Sequence, residues 1–407
     1  METLIGLLLI IAVCAKCVTG ILRLCRDNPS ILPWSSFLML CFVFWALVTA
    51  HRATVWLSQS DGTEYDGFRH DYLGRQIAEQ LSSGEINIYN LQLLSNDGYR
   101  SLLGVFYFVT NAPQEAGFAI HAMLAFFGLL FTLESCAIVA NVRKLPFWLV
   151  AYTMLLPSAL IFTPWLLKEG PALWSIGLLL RFGVSTSAES FDWRKVTLPV
   201  AAAIVLFTLR PHVAFAWLTA IAVSRFFSFK NPRIAFAAGI GSILVFIVTA
   251  YASDYIAPGF IAKVGESGLV ATLDKMTDIA QGGSAIYRTS TPIPFLNGLI
   301  FVFLEPNPLY WSSINYAVVG AEVWAITIAI CYSWFSSRGN LTSNMTRNLI
   351  LCAVAILALS FYLGYMYNMG LMVRQRLQAM PALILLAAIP LRDPVLRDVI
   401  PRFKLPT

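Results

Sequence analysis

The chain has 407 residues, 58% of them apolar and 12% charged, with a mean hydropathy of +0.70. A water-soluble domain is about half apolar and about a quarter charged, so this composition excludes an ordinary soluble enzyme. The formal charge of +6 is scattered between apolar runs, which argues against nucleic acid as a partner.

The apolar runs predict an all-α, polytopic transmembrane protein, a single transmembrane domain over residues 1–407 with about eleven spans. The spans fall near 3–21, 31–50, 117–140, 147–165, 171–183, 197–209, 212–227, 234–251, 312–333, 347–366 and 377–391. Residues 3–21 resemble a signal h-region, but Glu2 precedes them without any base and a second span follows at once, so a retained helix is expected. Cys14 and Cys17 have CxxC spacing inside an apolar helix and no second pair, the setting of small packing residues rather than of zinc ligands. No cysteine falls in a segment expected outside, so no disulfide is expected.

Every second linker is basic: Arg23 and Arg26, Arg143 and Lys144, Arg194 and Lys195, Arg225 with Lys230 and Arg233, Arg338 and Arg347, then Arg392 to Lys404. By the positive-inside rule these face the cytoplasm, with the N-terminus outside and the C-terminus inside. The alternation requires residues 197–227 to form a hairpin broken at Arg210-Pro211, because one long span would invert everything after it. The two long loops, 51–116 and 252–311, then lie outside, together with short tips at Lys168-Glu169, Arg210-Pro211-His212 and Arg374-Gln375-Arg376.

The first outer loop is the densest polar stretch. Asp71, Arg75 and Glu79 recur every four residues, and Leu73, Ile77 and Leu81 do so on another face. This predicts an amphipathic helix at the membrane surface, ended by Ser82-Ser83-Gly84. A carboxylate at the bilayer edge is suited to take a proton from an incoming hydroxyl. The candidates are Asp61, Asp66 and Asp71; the plainer alternative is a solvated acidic loop with i,i+4 ion pairs. A carboxylate-rich loop is also chemically able to hold Mg²⁺ or Mn²⁺, although no fixed ligand spacing specifies one.

The basic tips share the predicted outer side. Lys168 and Glu169, Arg210 and His212, and Arg374 and Arg376 gather the groups that would grip a lipid-linked phosphate. Snorkelling to head groups is the alternative for the arginines, and a packed histidine the alternative for His212. Glu134 and Glu322 fall inside predicted spans, either lining a cavity or paired structurally. The second outer loop is read as a lid or as a connector, with 295–304 too short to span and lying on or dipping into the surface.

Several short motifs follow in order: Ile77-Ala-Glu-Gln-Leu-Ser-Ser-Gly84, Gly104-Val-Phe-Tyr107, Leu156-Pro-Ser158, Leu167-Lys-Glu169, Leu209-Arg-Pro211, and Arg374-Gln-Arg376 before Pro381. Together they resemble the bacterial C-type membrane glycosyltransferases encoded with cell-surface polysaccharide genes. The resemblance implies a multi-pass protein of the bacterial cytoplasmic membrane. It implies a sugar donor on polyprenyl phosphate and an extracytoplasmic glycan or lipid-linked acceptor. It also implies Asp61 as the base, with Asp66 or Asp71 as rivals, and Lys168, Arg210 and Arg374 or Arg376 at the phosphate. The sequence departs from the usual pattern in having Gly62 after the first acid and an extra leading helix. Competing expectations are a Wzy-like polymerase or ligase and a transporter of lipid-linked oligosaccharides.

Overall fold

The computed structural model describes residues 2–58, 66–93, 95–185, 193–226, 293–309, 314–337, 342–364 and 369–391. Asp61, the predicted span 234–251 and most of the second loop lie outside the described residues. Among the described residues every regular element is helical and none is a strand. Five helices are long and apolar enough to cross a membrane: α1 (Glu2–Asp27), α2 (Ser35–Ser58), α5 (Gln114–Ala140), α12 (Ile314–Ser336) and α13 (Ser343–Leu363). A sixth arises if α14 (Met369–Arg376) is joined to the stretch Met380–Leu391, which opens with α15 (Met380–Ala388) and is bent from it by 47°. These apolar helices are consistent with a membrane protein.

Exposure separates the outer helices from the inner ones. Leu4, Leu7, Leu8 and Ile11 of α1, Leu40, Phe44 and Leu47 of α2, and Ile328 and Phe335 of α12 are exposed. So many bare apolar side chains suit lipid rather than water. By contrast α5 and α8 (Glu169–Ser185) are buried along most of their length. They approach backbone to backbone. A Cβ on Gly128 would collide with the Leu173 carbonyl, one on Gly177 with the Gly128 carbonyl, and one on Gly170 would come within 2.5 Å of the His121 carbonyl. Small residues at such a crossing let two helices pack closely where the hydrophobic effect offers little.

The predicted span at 147–165 is divided into α6 (Phe147–Met154) and α7 (Pro157–Phe162), with Pro157 in the first turn of α7. Glu322 of α12 holds this break: its carboxylate accepts from the Ser158 amide at 2.5 Å and the Ser158 hydroxyl at 2.8 Å. Trp45 donates to the Met154 carbonyl at 2.8 Å on the other side of the break. Arg376 lies 3.9 Å from Glu322 and donates to the carbonyls of Val319, at 3.2 Å, and Glu305. Glu134 is likewise paired, with Arg181 at 2.7 Å.

The helix is interrupted at Arg210, between α9 (Trp193–Leu209) and α10 (Pro211–Phe226), at the position where a break was expected. The 17 residues of α8 extend over about 25 Å. Glu169 begins that helix, and its far end carries a different cation set. There Arg225 donates to the carbonyls of Phe182 and Gly183, and Arg347 to that of Val184. These orphan carbonyls of a helix end are thereby satisfied by basic side chains.

Two elements carry protein contacts that the sequence reading did not include. The amphipathic segment forms α3 (Asp66–Ser83), but its buried face is Gly67, His70, Asp71 and Gly74. Leu73, Ile77 and Leu81 are only half-buried. The reason is α4 (Ser95–Thr110), a helix absent from the sequence reading, which packs on α3. Gly74 sits against Leu103, and Gly104 against Ile77, so each glycine makes room for the other helix. The other is α11 (Pro294–Leu304), whose Asn297, Phe301 and Val302 are buried, with Gly298 pressed on the Ser360 carbonyl of α13.

The α5–α8 crossing yields a test. Gly128→Val forces a branched side chain into backbone atoms, and overpacking of this kind costs about 1–3 kcal/mol or more. Thermal unfolding in detergent should show a clear fall in Tm for Gly128→Val. An exposed control such as Gly84→Ala, with nothing near its side and a φ of +76°, should lose only the strain of its left-handed backbone.

Candidate functional site

Four chain segments meet at one end of α8. The turn after α7 delivers Lys168 and, as the first residue of α8, Glu169. The α9–α10 turn delivers Arg210, whose carbonyl accepts the Val213 and Ala214 amides of α10. The last turn of α14 delivers Arg374, and the first turn of α3 delivers Asp66. Arg210 donates from Nη2 to Glu169 Oε1 at 2.5 Å, and Arg374 donates from Nε to the same oxygen at 3.1 Å. Arg374 also donates from Nη1 to Asp66 Oδ2 at 3.1 Å.

The four charges run from surface to interior, with both arginines meeting on Glu169. Side-chain exposure falls from 68% at Asp66 through 19% at Arg374 and 7% at Arg210 to 0% at Glu169. Burial alone would push the Glu169 carboxyl up; Arg374 and Arg210 outweigh it and hold the group at about 2. A carboxylate at a helix N-terminus is favoured further by the aligned peptide dipoles.

Lys168 is buried beside these charges and makes no ion pair among the described residues. Burial, followed by the charge of Arg210, pushes its ammonium down to about 7, and Glu169 offsets only part of that. Three cations therefore meet two carboxylates, and one of the cations is left uncompensated.

A second polar set adjoins the first on α3, α4 and α5. Asp71 accepts from the Tyr107 hydroxyl at 2.5 Å and from Arg75 Nε at 3.2 Å, and the Arg75 guanidinium lies 4.5 Å over the Tyr107 ring. Burial raises the Asp71 carboxyl, although both partners oppose it. His121 Nδ1 lies 2.8 Å from the Gly117 carbonyl, which can only accept, so that nitrogen carries the proton. Its Nε2 then accepts from the Tyr99 hydroxyl at 2.7 Å. His70 packs edge-on against Tyr99, and its Nδ1 accepts a hydrogen bond from Arg100 Nε at 3.4 Å. Burial, with Lys168 and Arg100 nearby, holds His70 at about 4, so it is neutral at pH 7.

The structure thus brings Asp66, Glu169, Arg210 and Arg374 into direct contact, with Lys168 alongside. Asp71 lies in the adjoining set, and Asp61 lies outside the described residues. His212 is half-buried and packs against Tyr362, ring centroids 5.0 Å apart. Arg376 is fully buried and holds Glu322 and backbone carbonyls instead of facing Glu169. Sequence reasoning missed the joint role of His70, Tyr99, Tyr107 and His121. The available signal was a histidine in the apolar run of α5, and the Tyr107 that closes a quoted motif.

No family model matches this chain, and neither does any curated protein or solved structure. Among the described residues no group of three or more His, Cys, Asp or Glu is placed to hold a metal ion.

Removing Glu169 would leave Arg210 buried without its counter-charge, a change that costs about 3–5 kcal/mol. Asp66 pairs at the exposed rim, where such bonds contribute about 0.2–1 kcal/mol. Denaturant titration in detergent should therefore find Glu169→Ala severely destabilised and Asp66→Ala close to the parent.

Proposed function

We propose that this chain is a membrane glycosyltransferase of the C-type, moving a sugar from polyprenyl phosphate to an extracytoplasmic glycan or lipid-linked acceptor. The reading includes eleven crossings of a bacterial cytoplasmic membrane, with the N-terminus outside, the C-terminus cytoplasmic, and α3 and α4 at the outer interface. In its support, the basic linkers Arg225 and Arg347 cap one end of α8 while Glu169, Lys168, Arg210 and Arg374 occupy the other, about 25 Å away. That length suits a membrane crossing in a bundle where neighbours cover short helices.

The observation that carries the reading is the uncompensated cation set beside an exposed aspartate. A polyprenyl phosphosugar is a phosphodiester with one negative charge. In the transfer, the acceptor oxygen bonds to the anomeric carbon as the bond from that carbon to the phosphate oxygen breaks. The lipid phosphate leaves as a monoester carrying one more negative charge. Lys168 and the outer edge of Arg374 are the groups to stabilise that growing charge. Asp66, joined to Arg374 at the rim, is the base that takes the acceptor proton, so base and phosphate grip stand on opposite ends of one guanidinium. Attack from the side opposite the leaving phosphate inverts the anomeric centre.

Transfer assays in membranes with polyprenyl-phosphate monosaccharides test this. Asp66→Asn should lower kcat at least a hundredfold with little change in KM, whereas Lys168→Ala should raise KM for the donor. Full transfer by Asp66→Asn removes it from the mechanism. Activity only with pyrophosphate-linked oligosaccharides would turn the reading to a polymerase or ligase.

The lowered Lys168 supplies a pH dependence. In the empty site its charge is fully present below about pH 7 and is lost as pH rises above it. A bound phosphate restores the proton, so donor affinity should be flat below pH 7 and fall by up to about tenfold per unit above it. A phosphodiester has no titration in that range, and Lys168→Ala should flatten the curve.

A further inference from the structure

Arginine and carboxylate usually pair through two parallel N–H···O bonds. Arg210 and Glu169 make one only, from Nη2 to Oε1 at 2.5 Å. The atoms that would form the second, Arg210 Nε and Glu169 Oε2, are both buried without a partner. The two residues are themselves more than nine-tenths buried. An open donor and an open acceptor are therefore carried by two buried side chains already joined through one hydrogen bond, in a dry place where unmet polar atoms are rarely tolerated.

The chemistry of these two atoms limits what completes them. A hydroxyl does so alone: its oxygen accepts from Arg210 Nε and its proton goes to Glu169 Oε2. A phosphate brings no proton for Oε2 and is repelled by it, and an apolar group satisfies neither atom. The position fits as well. Glu169 Oε1 also holds Arg374, which reaches the rim at Asp66, so the open pair lies one step inward from the edge assigned to the phosphate. Two residues along, buried His212 Nε2 is also unpartnered, another polar atom without a mate on the same turn.

We propose that Glu169 and Arg210 form a subsite that holds a hydroxyl of the donor sugar ring. This rests on the glycosyltransferase reading and adds to it the part of the donor that the buried pair recognises. Lys168 and Arg374 take the phosphate, and the Glu169–Arg210 pair takes the sugar.

The test is binding to the purified full-length protein in lipid nanodiscs. The probes are bare undecaprenyl phosphate, its glucose, galactose and mannose phosphodiesters, and single-deoxy versions of whichever sugar binds best. At least one phosphosugar should bind about tenfold or more tightly than the bare lipid, and one deoxy position should lose that gain. Glu169→Gln sets an amide N–H₂ against the hydroxyl proton, and Arg210→Lys removes Nε. Each should bring the ratio of sugar-bearing to bare lipid near one, whatever the variant's absolute affinity. If the wild-type protein binds bare lipid and the sugar adds nothing, or every deoxy sugar binds like its parent, the subsite is overturned and the phosphate reading stands. An unchanged ratio in either variant overturns it equally. If the wild-type protein binds none of the lipids, the glycosyltransferase reading falls and the subsite with it.

Discussion

One buried carboxylate organises this molecule. Glu169 has no exposed side-chain surface, yet two guanidiniums from segments 41 and 205 residues away in sequence converge on a single oxygen of it. A charge without water must be matched nearby, because the cost of burying it alone exceeds what any loop contact returns. The three segments that carry Glu169, Arg210 and Arg374 cannot drift apart without stranding that charge. Distant segments are thus brought together by an electrostatic requirement that apolar packing alone would leave loose.

The same requirement recurs deeper in the bundle. Glu322 and Arg376 pair where α6 and α7 break, and Glu134 pairs with Arg181 between α5 and α8. The first pair is fully enclosed, whereas Arg181 of the second is partly exposed. Glu322 accepts the amide that Pro157 leaves at the start of α7, so a helix break is made tolerable by a carboxylate from another helix. At the opposite end of α8, arginines satisfy carbonyls that helix geometry leaves open. These buried charges lie where backbone would otherwise be unsatisfied, or where another charge is waiting.

This logic explains which features are legible in the sequence. The break at Arg210-Pro211 is legible because Pro lacks an amide N–H and Arg is costly mid-span. The helix at 66–83 is legible from its fourfold spacing. Its buried face is not, because the spacing of Leu73, Ile77 and Leu81 marks an apolar stripe, whereas packing is decided by glycines. Gly74 and Gly104 admit α4 closely enough to cover His70 and Asp71. Nothing in the local pattern of 95–110 tells that such a partner is coming. The contact between Lys168-Glu169, Arg210 and Arg374 is legible only as a shared side of the bilayer. Single-sequence spacing holds no distance between turns so far apart.

Arg374 and Arg376 show how finely the constraint acts. They stand two residues apart in α14, so helical geometry turns them about 200° from each other. One faces Glu169 and Asp66, and the other is enclosed by Glu322, Val319, Glu305 and Phe301. The sequence offers them as equivalents, and the fold gives them opposite duties. Because Arg376 is held on three sides by groups that do not face the site, α14 has little freedom to rotate. Arg374 is therefore presented at a fixed angle between a buried acid and a surface acid. A guanidinium so placed can exchange one of its carboxylate partners for an incoming phosphate while the helix that carries it stays still.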